Sequence, residues 1–141
     1  MENIIIGAFA LSVKNGGVTF NLEGKAPEKG YMVSIVGQEI VIPELDYVYE
    51  NLEDYINERM SLLNSMSNLY VGVWHHKGHY YIDLSENILS KADALKQGIL
   101  RSQKAIWNVS EGSEIALPSP QKCGTEFQKQ TYLNLKVREL L

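Results

Sequence analysis

The chain has 141 residues, 45% of them apolar and 21% charged, with a formal net charge of -4. That length fits one domain, and that apolar share can fill a real core, which excludes wholesale disorder. The acidic balance, with a pI near 5.4, argues against a nonspecific duplex-DNA binder, which carries a basic face, but leaves room for a small anion held by a few local cations.

In chain order, the apolar opening at residues 3–13 reads as a buried strand. It lacks a basic leader region and is too short to cross a bilayer, and no run of about 18 apolar residues occurs anywhere. Asn15-Gly16-Gly17 is a turn signal, and Val18 to Leu22 reads as the return strand. Tyr31–Val36 and Glu39–Ile42 read as a second hairpin around Gly37-Gln38, closed by Pro43. The period then changes. Leu45, Val48, Tyr49, Leu52, Tyr55, Ile56, Met60 and Leu63 recur at spacings of three and four, which predicts one helix over 45–65. A hairpin over 69–84 follows. Ser90 begins a capping-box-like SKAD, predicting a helix over 91–102 whose interior Gly98 implies close packing against a strand or another chain. Lys104 to Val109 reads as a strand, SEGSE as a turn, and Ile115 to Leu117 as a short strand or an extended exit. Beyond Pro118-Ser119-Pro120, Thr125-Glu126-Phe127-Gln128 opens a tail helix whose stripe is Phe127, Leu133, Val137 and Leu140. That stripe must be buried on its own domain or on another subunit. The expected fold is α+β: an antiparallel sheet of hairpins with two main helices and a C-terminal tail helix. Residues 1–117 form the core, and 118–141 a linker and helix with a possible oligomerisation role.

The sequence YVGVWHHKGHYYID, Tyr70 to Asp83, is the most informative stretch. A Lys77-Gly78 loop suits a primed hairpin turn. The register then places Tyr70, Gly72, Trp74, His76, His79, Tyr81, Asp83 and Ser85 on one face, and Val71, Val73, Ile82 and Leu84 on an ordinary core face. The first face can stack a flat ring on Trp74, Tyr70 or Tyr81 and read polar edges or ribose hydroxyls with Asp83 and Asn87. Arg59 and Arg101, on the two expected helices, are candidate phosphate clamps because guanidinium forks match phosphate oxygens. Lys104 and Asn108 alternate with Trp107 on the following strand and could line the same region. Packing under a helix or in a subunit contact is the competing role for the aromatics, and a solvated helix face for the arginines.

Other chemistry is weaker. His75, His76 and His79 lie close together, but adjacent strand residues point to opposite faces, and two ligands are too few for structural zinc. Cys123, the single cysteine, cannot form an internal disulfide and has no positioned base, so a reducing cytosol is the expected compartment. Serine-nucleophile, phosphate-loop and dinucleotide glycine patterns are absent. Asp83 and Glu86 could serve as an acid/base pair, though strand-end carboxylates are mostly solvated or capping groups. Nothing here requires an enzyme, a cofactor or a metal.

The segment YVGVWHHKGHYYIDLSENILSKADALKQGILRSQKAIWNVSEGSEI has a distinctive layout. A Gly-x-Trp strand and turn lead into Tyr-x-Asp-x-Ser-x-Asn, then a short helix, Gln-Lys-Ala-Ile-Trp-Asn and a Gly-containing turn, with Gly30 to Ser34 (GYMVS) upstream. Over roughly 28–115 this resembles small phage and prophage proteins and is similar to the phage Thoeris anti-defence sponge family. Members of that family bind isomers of cyclic ADP-ribose made by bacterial TIR-domain enzymes, and some hold cyclic oligonucleotides. The resemblance implies sequestration without hydrolysis in the host bacterial cytoplasm, by a homo-oligomer with pockets at or near subunit contacts and no membrane or duplex nucleic-acid partner. It also implies adenine stacked on Trp74 or Tyr81, pyrophosphate at Arg59 or Arg101, and ribose hydroxyls at Asn87 or Asp83. The alternatives are an inhibitor that docks on a host defence enzyme through its surface, and a hydrolase of the same signal. The isomer bound and the stoichiometry are not encoded in any motif.

Overall fold

The computed structural model describes residues 1–118 and 126–141, with the backbone alone over 126–132. The fold is α+β, with seven antiparallel strands and five α-helices, the last at the C-terminus. The chain divides into two compact units that interleave in sequence: residues 1–27 with 35–85, and residues 28–34 with 86–141.

The first unit opens with helix α1, Glu2–Asn15, where the composition suggests a strand. Its buried residues explain the difference. Ile5, Ala8 and Ser12 face inward at spacings of three and four, a helical period that the unbroken apolar run conceals. Asn15-Gly16-Gly17 does turn the chain, but as a helix C-cap, with Gly16 left-handed at φ 77°. Strand β1, Gly17–Phe20, therefore pairs with β4, Leu69–His76, and not with 3–13. The Lys77-Gly78 turn is as expected, with φ of 48° and 78° at its two residues, and leads into β5, His79–Ile88. The last three residues of β5 belong to the second unit.

The hairpin expected at 31–42 does not form. Strand β2, Tyr31–Ser34, pairs with β6, Ala105–Asn108, whereas β3, Ile40–Pro43, pairs with β5. Gly37, at φ 78°, does bend the chain, but only into a loop. The Ile35 amide donates to the Leu84 carbonyl and Ile40 sits opposite Ile82, so the chain advances from 35 to 40 while its partner steps back only from 84 to 82. The surplus residues bulge outward. The helix expected over 45–65 is also interrupted. A 3-10 turn at Glu44–Asp46 precedes α2, Tyr49–Glu58, and Arg59 leaves helical geometry before α3, Met60–Ser65. Of the apolar stripe, Leu52, Tyr55, Ile56 and Leu63 are buried, but Leu45 is 96% exposed. The inner face of the strands (Phe20, Val71, Val73, Tyr80, Ile82, Leu84) packs on Ile5, Ala8, Leu52, Tyr55 and Ile56 as one cluster.

In the second unit β6 lies between β2 and β7, Ser113–Ala116. Helix α4, Lys91–Leu100, is capped by Ser90, whose hydroxyl accepts from the Asp93 amide at 3.2 Å. Its Ala94 and Leu95 form a core with Val33 and Ile106. Helix α5, Glu126–Leu140, docks on that core through Val137 and Leu140, and its Leu133 is buried. Ser119, Pro120, Cys123 and Thr125 lie outside the described residues, as does the side chain of Phe127. Among the described residues no helix is long and apolar enough to cross a membrane.

Gly98 does what its mid-helix position implies. A Cβ there would lie 2.6 Å from Leu117 Cδ1 and 2.8 Å from Ile106 Cγ2. Gly98→Ala should therefore lower unfolding stability by about 1–3 kcal/mol in urea titrations, because overpacking outweighs the helix-propensity gain.

Candidate functional site

Two surfaces carry the candidate chemistry, one in each unit. In the first unit the helices cover one side of the strands. The other side carries Trp74 stacked on Tyr81, ring centroids 5.4 Å apart and 8° from parallel, with the His76 ring 6.5 Å from Tyr81. Trp74 is 37% exposed. The flanking strands extend this surface, because residues opposite one another share a face. Gly17 and Thr19 of β1 oppose Trp74 and Gly72, and exposed Val41 of β3 opposes Tyr81. Gly72 is small for a reason: a Cβ there would come within 3.0 Å of Asp83 Oδ1. Asp83 itself is buried, 5% exposed, so it belongs to the packing beneath the aromatics more than to an open surface.

Arg59 is also in the first unit, where its side chain is engaged by its neighbours. Its guanidinium lies 3.7 Å over the Tyr55 ring, and Nε donates to Gln38 Oε1 at 2.9 Å. The Tyr55 hydroxyl donates to the Gln38 carbonyl at 2.7 Å. Together they pin the bulge to α2. Burial pushes the Tyr55 phenol well above its ordinary range, with the Arg59 charge opposing the shift, so it stays a protonated donor to Gln38 at all physiological pH. His75 turns away from the other histidines, with Nε2 3.1 Å from Glu44 and its ring against Tyr80. Among the described residues no group of three metal-capable side chains assembles.

The second unit holds a cleft of about 380 Å³, lined by Lys29, Gly30, Tyr31, Leu89, Asn108, Ser110 and Glu111. Three sequence segments build it. The loop entering β2 brings Lys29 and Gly30, the latter at φ 82°, and its Gly30 carbonyl accepts from the Val109 amide at 3.0 Å. Tyr31 lies directly opposite Asn108 across β2 and β6, so both side chains lie on the same face. The turn after β6 brings Ser110 and Glu111, held by Asn108 Oδ1 accepting from the Glu111 amide at 3.3 Å. The lining offers a phenol ring, an amide, a hydroxyl, one cation and one carboxylate. Its volume is at the small end of the roughly 300–1,000 Å³ typical of small-molecule sites.

Of the four candidates in this unit, Asn108 lines the cleft and Asn87 supports it, donating to the Lys29 carbonyl at 2.8 Å. Arg101 is engaged with Glu86, their side chains only 19% and 17% exposed, and its guanidinium also reaches the Val33 and Ser34 carbonyls at 3.5 Å. Lys104 is exposed before β6, where its carbonyl accepts from the Leu117 amide. Tyr70, Trp74, Tyr81 and Asp83 thus belong together on the first unit, while Arg59 lies on the helix side of that unit. Lys29, Tyr31, Ser110 and Glu111 are cleft residues that motif reading passes over. Their signal was the pair of glycine turns, Gly30 and Gly112, flanking one strand pair. No protein-family model matches this chain, and no curated protein or solved structure shows significant similarity to it.

If Arg59 serves the bulge, Arg59→Ala should lower stability by about 1–3 kcal/mol through loss of its charged hydrogen bonds. Ligand affinity, measured by calorimetry below the unfolding transition, should stay unchanged.

Proposed function

We propose that this protein is a phage-encoded anti-defence binder that sequesters a small cyclic nucleotide signal, a cyclic ADP-ribose isomer first among candidates, without degrading it. The ligand class comes from the resemblance of residues 28–115. The observation that carries the reading is the second-unit cleft, whose groups match the parts of a nucleotide. Tyr31 offers a ring for a base, Asn108 and Ser110 hydrogen-bond its edge or a ribose, Glu111 accepts from ribose hydroxyls, and Lys29 meets phosphate. The burial of Asp83 and the pairing of Glu86 with Arg101 favour a binder over a hydrolase, since an acid/base pair needs reach to its substrate.

One observation favours a second reading. The exposed Trp74–Tyr81–Val41 surface has the aromatic character of a protein-docking patch, which would suit an inhibitor of a host defence enzyme.

The test is to mix purified protein with cyclic ADP-ribose isomers and cyclic oligonucleotides, filter, and assay the filtrate before and after heating the retained fraction. Depletion followed by release of intact ligand is expected. Lys29→Ala should weaken binding about tenfold, as loss of a charge-assisted phosphate contact does. Trp74→Ala should change it less than about twofold, because Trp74 does not line the cleft, whereas a base stacked on it would lose roughly 1–3 kcal/mol. A changed product in the filtrate means an enzyme. Loss of affinity in Trp74→Ala alone moves the site to the outer strand face. No depletion of any candidate favours the protein-docking reading.

A further inference from the structure

The two charged residues that line the second-unit cleft, Lys29 and Glu111, are exposed and do not pair with each other. Among the described residues neither side chain has an ion-pair or hydrogen-bond partner, whereas Glu86 and Glu139 of the same unit are paired with Arg101 and Lys136. Two opposite charges thus share one small space with both heads left to solvent.

Hydrogen bonds fix the backbone under each of them. The Lys29 carbonyl accepts from Asn87 Nδ2 at 2.8 Å. At Gly30, next along the chain, a Cβ would come within 3.0 Å of the Ile88 carbonyl oxygen and 3.1 Å of Leu89 Cδ2, so this loop lies against the end of β5. Asn108 holds the turn that carries Glu111 twice: its carbonyl accepts from the Gly112 amide at 2.9 Å, and its Oδ1 from the Glu111 amide at 3.3 Å. The Val109 amide donates to the Gly30 carbonyl at 3.0 Å and joins the two segments. Both charges are therefore carried to one end of the β2 and β6 pair by the chain itself.

We propose that Glu111 sets the specificity of the cleft: it admits a ribose whose two vicinal hydroxyls are free and rejects the same ribose carrying a phosphate. This rests on the nucleotide-binding reading of the cleft. An ionised carboxylate only accepts hydrogen bonds, through two oxygens, so it suits two adjacent hydroxyl donors. A phosphoryl group on one hydroxyl removes a donor and sets a nearly doubly charged anion against Glu111. An acidic side chain that reads ribose hydroxyls, and an arginine that accommodates a ribose phosphate, are the two solutions known in dinucleotide-binding folds. Here Arg101 is turned to Glu86 and to the Val33 and Ser34 carbonyls. Lys29 is the one cation among the described lining residues, so an added phosphate finds no further counter-charge there. Discrimination then comes from a charge placed against the wrong ligand.

Calorimetric titration of the full chain with cyclic ADP-ribose and with cyclic ADP-ribose 2′-phosphate tests it. The unphosphorylated ligand should bind about tenfold more tightly, and the gap should narrow as salt is raised. Glu111→Gln should weaken cyclic ADP-ribose about threefold and strengthen its 2′-phosphate about threefold, and Glu111→Lys should reverse the preference. Shifts of opposite sign separate recognition from a structural role, which would move both ligands together. Equal affinity for the two ligands overturns this inference and leaves the ligand reading standing, as does a preference that Glu111→Gln leaves unchanged. Binding of neither overturns this inference together with the first candidate of the ligand reading.

Discussion

The structure of the first unit depends on the turn at Lys77-Gly78. Both residues have positive φ, 48° and 78°, the geometry whose twist matches two antiparallel strands. That turn fixes which residues of β4 and β5 oppose each other, and with a side-chain period of two it also fixes which face each residue occupies. A slip of one residue would carry Val71, Val73, Ile82 and Leu84 outward and Trp74 and Tyr81 inward. The neighbouring strands adopt the same division: Val18 and Phe20 oppose Val73 and Val71, and Ile40 and Ile42 oppose Ile82 and Tyr80. Helices α1 and α2 then cover the aliphatic side, leaving the aromatic side as the outer surface.

A second layer of constraint is polar. Three side chains with candidate ligand roles, Arg59, Asn87 and Arg101, are engaged within the fold. Arg59 and Tyr55 hold the bulge at Gln38, Asn87 holds the loop at Lys29, and Arg101 is committed to Glu86 and two backbone carbonyls. The Arg101–Glu86 pair is only partly buried, so breaking it costs less than the about 3–5 kcal/mol of a fully buried pair. A ligand that recruited Arg101 would have to offset that and leave Glu86 with another partner. Exposed Lys29 carries no such penalty. The guanidinium with the better phosphate geometry is thus the less available cation, and the ammonium on a loop the more available one.

The hairpin and the α4 cap were legible because their signals are local: two residues for the turn, one hydroxyl for the cap. Helix α1 was not, since a run such as Ile4-Ile5-Ile6 satisfies the inward positions of either period. Only the burial of Ile5, Ala8 and Ser12 separates the two. The 35–40 bulge was misread because Gly37 carries the same turn signal whether the chain reverses or resumes its course. That outcome depends on β5, distant in sequence. For the candidate site, the outer aromatic face followed from alternation alone. The cleft did not, because it is made where the segments at 29–31, 89 and 108–111 meet, and no single segment has the composition of a site.

Sequestration and catalysis place opposite demands on such a cleft. A catalyst must bind the transition state better than the ground state, and so needs ionisable groups poised where charge develops. A sequestering protein needs only to hold the ground state. The cleft has neutral donors and acceptors on Tyr31, Asn108 and Ser110, one cation on Lys29 and one carboxylate on Glu111. Such a set offers hydrogen-bonding and charged groups suited to a base edge, a ribose and a phosphate together. Its backbone is also held by hydrogen bonds, through the Gly30 carbonyl, the Asn87 amide and the Asn108 side chain. Walls held in this way lower the cost of ordering on binding.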